Sequence, residues 1–187
     1  AIAANEIANT FEAHDSLANI LLDHYFVEQY LAVDMAVRDM ALSTDLQAAF
    51  IVGESNTIIE LTLETMQPRT LVEIDNMSVI NGVSVSPDDM LLAVGGQNSL
   101  AVIEIETGQI IYQVDHDSEI WAVAWSVDGA MVYLIDVMGT VVAINIEDQA
   151  AQFEINVTPD SLFALGIHPD GTTLAVGGAN NIVYILD

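Results

Sequence analysis

The chain has 187 residues, a length that supports one substantial hydrophobic core and is short for two domains. Its charge is one-sided, because 28 aspartates and glutamates stand against two arginines and no lysine, for a net charge of −26. Nucleic acids and anionic lipids are bound through clustered lysine and arginine, so the composition argues against both classes of partner. Hydrophobic residues make up 52% of the chain, which is too many for a disordered acidic tail.

Three interpretations account for the acidity. A solvated acidic surface opposes aggregation, and the salt of a saline or extracellular setting screens the self-repulsion. The third interpretation is a surface that binds cations or a basic partner. The first two together are favoured.

The chain contains no cysteine, so disulfides and thiolate sites are excluded and the compartment stays open. The most apolar stretch, residues 130–146, contains Asp136 and Gly139 and predicts two strands of a soluble protein instead of a membrane span.

Residues 1–30 precede the clear repeats and form a separate predicted segment. Apolar residues at spacings of mostly four favour a partial amphipathic helix; they are Ile7, Phe11, Leu17, Leu21 and Tyr25. The rival interpretation is a degenerate strand, loop and strand, because residues 13–17 resemble residues 115–120 ahead of a later strand. The chain begins at Ala1 without a methionine, which is consistent with a processed form or a fragment.

From about residue 31 the pattern changes to the two-residue alternation of β-strands, and a similar turn returns at intervals of 40 to 43 residues. Such an interval with several short strands per unit is typical of β-propellers, whereas helical solenoids need helical periodicity. Asp bonds local backbone, and Pro or Gly beside it suits a tight turn, so turn formation explains the recurrence without catalysis. The recurring aspartates are Asp45, Asp88, Asp128 and Asp170.

Each unit predicts the same succession of elements, seen best in residues 80–114. A strand and tight turn lead to a continuous apolar strand, a turn rich in Gly or Asn, a third strand, and a more polar fourth strand. The predicted fold is all-β, a propeller of four-stranded antiparallel blades over residues 31–187. The units span about residues 37–78, 80–119, 120–160 and 162–187, and the last contains three strands.

These units resemble the WD-repeat and YVTN-type β-propeller families. The resemblance rests on the turns at residues 86–89, 106–109 and 168–171, on the Leu-Ala-Val-Gly-Gly strand ends, and on the loop and strand at residues 115–126. It covers about residues 37–187. The Trp-Asp dipeptide of the family is absent from the ends of the third strands.

Four units are at the low end for a closed propeller. An open ring exposes strand edges, which pair readily with other chains. The resemblance implies that one terminus donates a strand to the blade of the other, so residues 1–30 are one candidate for the missing strand. Alternatively, the chain is a fragment of a longer propeller, or two chains complete one ring. A fragment or a homo-oligomer is favoured.

Loops between strands are the candidate binding surface, because a rigid scaffold with variable loops suits protein recognition. The inter-unit loops at residues 75–78, 116–121 and 158–161 and the turns at 54–56, 97–99, 136–139 and 179–181 are expected on one face. The candidate binding residues are His116, Asp117, Glu119, Trp121, Asp136, Asn98 and Asn180.

His116 has two interpretations. It is the one member of the His–Ser/Thr–Trp–Asp hydrogen-bond set of the WD family that is found in the matching loop. It also lies in a carboxylate-rich loop that suits Ca²⁺ but lacks the spacing of an EF-hand, so a solvated acidic loop is preferred. Trp121 and Trp125 are expected on one face of one strand.

No nucleophile motif, phosphate-binding loop or histidine metal motif is present, so no cofactor, metal or catalytic residue is predicted. The favoured function is a non-catalytic scaffold with a protein partner. A carboxylate-based hydrolase or lyase with a central-channel site and a self-assembling structural protein are the alternatives.

Overall fold

The computed structural model describes residues 31–187, and the helix or strand expected in residues 1–30 lies outside the described residues. Residues 34–187 form one compact unit of four antiparallel sheets. Sheet 1 contains β1 (Val37–Leu42), β2 (Ala48–Gly53), β3 (Thr57–Thr62) and β4 (Gln67–Glu73); sheet 2 contains β5 (Ile80–Val85), β6 (Leu91–Gly96), β7 (Ser99–Glu104) and β8 (Gln109–Asp115). Sheet 3 contains β9 (Ile120–Trp125), β10 (Met131–Asp136), β11 (Thr140–Asn145) and β12 (Ala150–Asn156); sheet 4 contains β13 (Leu162–Ile167), β14 (Leu174–Gly178) and β15 (Val183–Leu186).

Each sheet is a meander, in which consecutive strands are hydrogen-bonded neighbours. The predicted all-β fold with antiparallel sheets of three or four strands is confirmed. The first strands β1, β5, β9 and β13 contact one another in succession, so they form the inner side of the array. None of the described residues forms a helix of the length and apolarity that crossing a membrane requires.

Hydrogen bonds of serine and aspartate side chains stabilise the turn between the first and second strands in sheets 1 to 3. Each serine hydroxyl donates to the aspartate two residues later, at 2.6–2.7 Å, and accepts the backbone N–H five residues later, at 2.8–2.9 Å. The bond from Ser86 lowers the pKa of Asp88, and the bond from Ser126 lowers the pKa of Asp128. The turn aspartates therefore have a structural role in the hairpins. The pairs are Ser43 with Asp45, Ser86 with Asp88, and Ser126 with Asp128.

The core of the described residues consists of three separate clusters, each between two consecutive sheets. Phe50, Ile58, Ile80 and Leu92 are buried between sheets 1 and 2. Leu100, Val102, Ile120 and Leu134 fill the space between sheets 2 and 3, and Ile135, Val141, Leu162 and Val176 fill that between sheets 3 and 4. Burial of each such side chain is worth about 1.5–3 kcal/mol. The apolar runs predicted for the second strands of sheets 2 and 3, β6 and β10, each face two clusters.

A β-bulge recurs at the second residue of every first strand. In sheet 3, Ile120 pairs with Asp136 and Ala122 pairs with Ile135, so Trp121 has no partner across the ladder. The extra residue reverses the alternation beyond it, which is why Trp125 is buried against sheet 2 whereas Trp121 contacts Phe163 of sheet 4. The expectation that both tryptophans share one face is therefore wrong. The bulged residues are Arg38, Asn81, Trp121 and Phe163.

Candidate functional site

The turns between second and third strands and the loops between sheets lie at the same end of the array, because the strands of each sheet run antiparallel. We call this end the loop face; it consists of the turns at residues 54–56, 97–99, 136–139 and 179–181 and the loops at 74–79, 116–119 and 157–161. Three depressions of about 580, 340 and 460 Å³ lie on it. The first and second share Asn76, and the second and third share Asp115 and His116. The loop face is therefore one continuous surface across sheets 1 to 3.

Asp136 and His116 contact each other at the third depression. The His116 ring nitrogen Nε2 lies 2.9 Å from Asp136 Oδ2, and the Ser118 hydroxyl donates to the same oxygen at 2.5 Å. Asp136 Oδ1 accepts the backbone N–H groups of Met138 and Thr140, at 3.0 and 2.8 Å. The structure thus joins a loop residue and a turn residue that are twenty positions apart in the sequence.

Asp136 is 2% exposed, and its pKa lies below the ordinary value of an aspartate despite this burial. Burial is the largest single influence and raises its pKa, but the bonds from Ser118, the Thr140 backbone and His116 together outweigh burial and lower the pKa. A carboxylate whose two oxygens accept four hydrogen bonds is held in place and is a poor proton donor. The hydrogen bonds of Asp136 are therefore better suited to stabilising the turn than to acid–base chemistry.

Asp136 also takes a register position that is glycine in the other three sheets. Gly53, Gly96 and Gly178 pair with the first residue of the first strand, as Asp136 pairs with Ile120. A Cβ atom on any of these glycines would lie 1.9–2.1 Å from a backbone carbonyl oxygen. Sheet 3 accommodates a side chain here, and the sequence signal was visible as an aspartate where other units have Gly.

The other residues predicted from this loop occupy three different surroundings. The exposed Asp117 lines the third depression. Glu119 accepts a hydrogen bond at 2.9 Å from Nδ2 of Asn81, across the boundary between sheets 2 and 3. Trp121 packs edge-on against Phe163, with ring centroids 5.0 Å apart. The structure therefore places Glu119 and Trp121 in contacts between sheets and leaves Asp117 facing outward.

The two asparagines lie in turns of different sheets. Asn98 has a positive φ of 65°, lines the second depression, and its carbonyl accepts the His116 backbone N–H at 2.9 Å. Asn180 donates through Nδ2 to Thr158 Oγ1 and Tyr184 Oη, at 3.0 and 2.8 Å. Asn98 thus joins the His116 surface, whereas Asn180 belongs to the boundary of sheets 3 and 4.

Ser99 is a residue that sequence reasoning missed. It is 4% exposed, it lines the second depression, and its Oγ has no hydrogen-bond partner within residues 31–187. Its only sequence signal was a polar residue at the start of an otherwise apolar strand. In that part of the chain, no group of three or more His, Asp or Glu side chains is placed to hold a metal ion.

Four successive antiparallel sheets with their first strands on the inner side define the chain as blades of a β-propeller. Solved structures of similar fold agree. A chain of Kuenenia stuttgartiensis hydrazine synthase matches with a TM-score of 0.73 and 20% identity over 87% of this chain and 49% of its own length. A chain of a mitotic checkpoint complex matches with a TM-score of 0.77 and 18% identity, over 86% of this chain and 50% of its own length.

These similarities establish the fold alone. The chain spans about half of the length of each of these two matched chains. No protein-family model matches the sequence, and no curated protein sequence matches it.

Proposed function

We propose that this chain is a non-catalytic β-propeller scaffold that binds a protein partner through its loop face. The observation that supports the proposal is the continuity of three adjoining depressions built by turns and loops of three sheets. Extended surfaces of this kind suit a peptide or a protein edge better than one small molecule. The mitotic checkpoint complex, which contains a chain of similar fold, is by its name a protein assembly.

Charge on the loop face indicates what such a partner offers. Asp75, Asp115, Asp117 and Glu154 line the depressions and form no ion pair within residues 31–187. The two arginines are already paired, with Glu54 and Glu60, at 2.8 and 2.6 Å. A partner with exposed lysine or arginine would therefore be attracted and oriented by this face.

Affinity capture from an extract of the source organism tests the proposal. The loop-face variant combines Asp75→Asn, Asp115→Asn, Asp117→Asn and Glu154→Gln. A matched control removes four charges from the opposite end, with Glu64→Gln, Glu106→Gln, Glu147→Gln and Asp148→Asn. Loss of a captured protein in the loop-face variant alone is the expected result. Equal capture by both variants would remove the loop face as the binding surface.

A carboxylate-based hydrolase or lyase is the second candidate, because four carboxylates line the third depression: Asp115, Asp117, Asp136 and Glu154. A catalytic acid at neutral pH requires a raised pKa. The pKa of Asp136, the buried member of the group, is lowered instead. These residues also lie at the strand ends of the loop face, away from the inner strands where a central-channel site was expected. The geometry therefore favours binding over hydrolysis.

Self-assembly is the third candidate, and the two outer faces of the array favour it. Val183 and Ile185 of β15 are 69% and 63% exposed, although their register equivalents in β7, Leu100 and Val102, are buried against the next sheet. On the first strand β1, Met40 is exposed where its equivalent Val83 is buried. β15 of sheet 4 and β1 of sheet 1 thus expose apolar side chains of the kind that pack sheet against sheet inside the array, although Ile51, the partner of Met40 across the ladder, is buried.

Light scattering during gel filtration tests self-assembly. A mass of 20.1 kDa corresponds to the monomer, and self-assembly predicts a multiple of it. If the outer faces form the contact, Val183→Asp and Met40→Asp each return the protein to a monomer, whereas mixing the two variants restores one intact contact. A monomer in the unaltered protein at both low and high salt would exclude this candidate.

A further inference from the structure

The second depression of the loop face combines a buried hydroxyl with an unpaired carboxylate. Ser99 and Asp115 are register partners of β7 and β8, so their side chains lie side by side on one face of sheet 2. Gln113, two residues before Asp115, lies on the same face. The floor and one wall of the depression are thus built by regular strands, which position groups more precisely than loops do.

The polar groups of this depression have few partners within the protein. Ser99 Oγ has none within residues 31–187, although a buried polar atom without a partner costs about 1–3 kcal/mol. The side chains of Asn76, Asn98, Gln113 and Asp115 also make no hydrogen bond to described residues, whereas Gln97 Oε1 accepts the Ser78 hydroxyl at 2.5 Å. The exposed amides are accessible to water as an alternative hydrogen-bond partner, whereas the buried Ser99 hydroxyl is not. This hydroxyl therefore gains the most hydrogen-bond energy when a ligand binds.

The charge of the depression indicates the charge of the ligand that it binds. Asp115 is the one carboxylate of the depression, and the nearest basic side chain, His116, is engaged with Asp136. The chain as a whole has a net charge of −26 and no lysine. Carboxylate, amide and hydroxyl oxygens are acceptors, and they match the several N–H donors of an ammonium or guanidinium group.

We propose that this depression receives a lysine or arginine side chain of the protein partner, with Asp115 as the counter-ion and Ser99 Oγ as an acceptor beneath it. The proposal rests on the protein-binding function proposed above and names the chemistry of one subsite within it. Asn98 and Gln113 border the entrance, and their hydrogen bonds would discriminate between a lysine and an arginine side chain.

Binding of short labelled peptides tests the subsite. Fluorescein-labelled hexalysine and hexaarginine are titrated with the protein at a fixed ionic strength near the physiological value, and hexaglutamine serves as the neutral probe. Two variants alter the subsite, Asp115→Asn and Ser99→Ala. The matched control is Asp148→Asn, which removes the same charge from an exposed turn at the opposite end. Circular dichroism and the thermal midpoint verify that each variant is folded.

Asp115→Asn is expected to weaken binding of a cationic peptide about tenfold, and Ser99→Ala about threefold, as charge-assisted and ordinary hydrogen bonds are lost. Asp148→Asn should change it less than twofold. The stronger of the two peptides identifies the preferred side chain. Equal small losses in both aspartate variants, no effect of Ser99→Ala, or equal binding of hexaglutamine would each overturn the proposal.

The outcome is separable from that of the proposed function. Loss of peptide binding in the subsite variants with no partner captured from extract would retain the subsite and remove the scaffold function. Capture that depends on the loop face, together with peptide binding insensitive to Ser99 and Asp115, would retain the function and remove the subsite.

Discussion

At the scale of single residues, Asp136 is the side chain with the most demanding surroundings. It is buried, and it is bonded to His116 and Ser118 of the loop between sheets 2 and 3 and to the backbone of Met138 and Thr140 in its own turn. The sequence predicted His116 in its loop and Asp136 in its turn as separate candidates. Their contact was not predicted, since it depends on how the hairpin folds back beside the preceding loop. Ser99 was missed because the burial that makes it notable is a property of packing alone.

Asp136→Asn is expected to lower the free energy of unfolding near neutral pH by about 2–3 kcal/mol, because hydrogen bonds to a charged acceptor are weakened. The folded pKa of Asp136 lies below its ordinary value of 3.8, so its contribution is fully present above that value and is lost as pH falls through the folded pKa. The difference between the two proteins should therefore shrink as the pH falls from about 5 to about 3 in urea titrations. A difference that is constant across this range would contradict the assignment.

At the scale of strands and turns, period and turn chemistry were sufficient to predict most of the fold. Val and Ile alternation located the strands, and the recurring Ser-x-Asp turns located the hairpins. The bulges were not predictable, because an unpaired residue such as Trp121 leaves no mark in composition. Its consequence, the opposite orientation of Trp121 and Trp125, follows from the two-residue period of a strand.

Close packing at the ends of the second strands predicts that alanine substitution of a glycine there destabilises the fold. Gly96→Ala places a Cβ atom about 2.1 Å from the Val79 carbonyl oxygen, a distance at which the backbone must shift. We expect a loss of about 2–4 kcal/mol in the free energy of unfolding, comparable to other severe core strain. Gly166→Ala is the control, since no atom lies within 4 Å of the Cβ position there. Similar thermal midpoints for the two variants would show that the close approach is not a constraint.

At the scale of the whole molecule, the charge of −26 is the dominant electrostatic feature. Two arginines are paired at the surface and leave most of the acidic side chains to repel one another. Screening reduces this repulsion in the folded state, where charges are closest together.

The thermal midpoint is therefore expected to rise when NaCl is increased from low to molar concentration. Sucrose, which favours compact states without screening charge, is the control. A midpoint that stays flat or falls with NaCl would contradict an electrostatic origin and, with it, the salt-adapted interpretation of the composition.

The division of the core into three clusters has a consequence for how the molecule comes apart. Within residues 31–187 each sheet packs against its neighbours in the array, and no cluster joins all four sheets. Sheets 2 and 3 have a neighbour on both sides, whereas sheets 1 and 4 have one among the described residues. Opening fluctuations should begin at the outermost sheets and proceed inward. The surface around Ser99 and Asp115 lies on the face of sheet 2 that packs against sheet 1 and is lined by Asn76 of the loop after sheet 1, so it would lose one wall whenever sheet 1 frays.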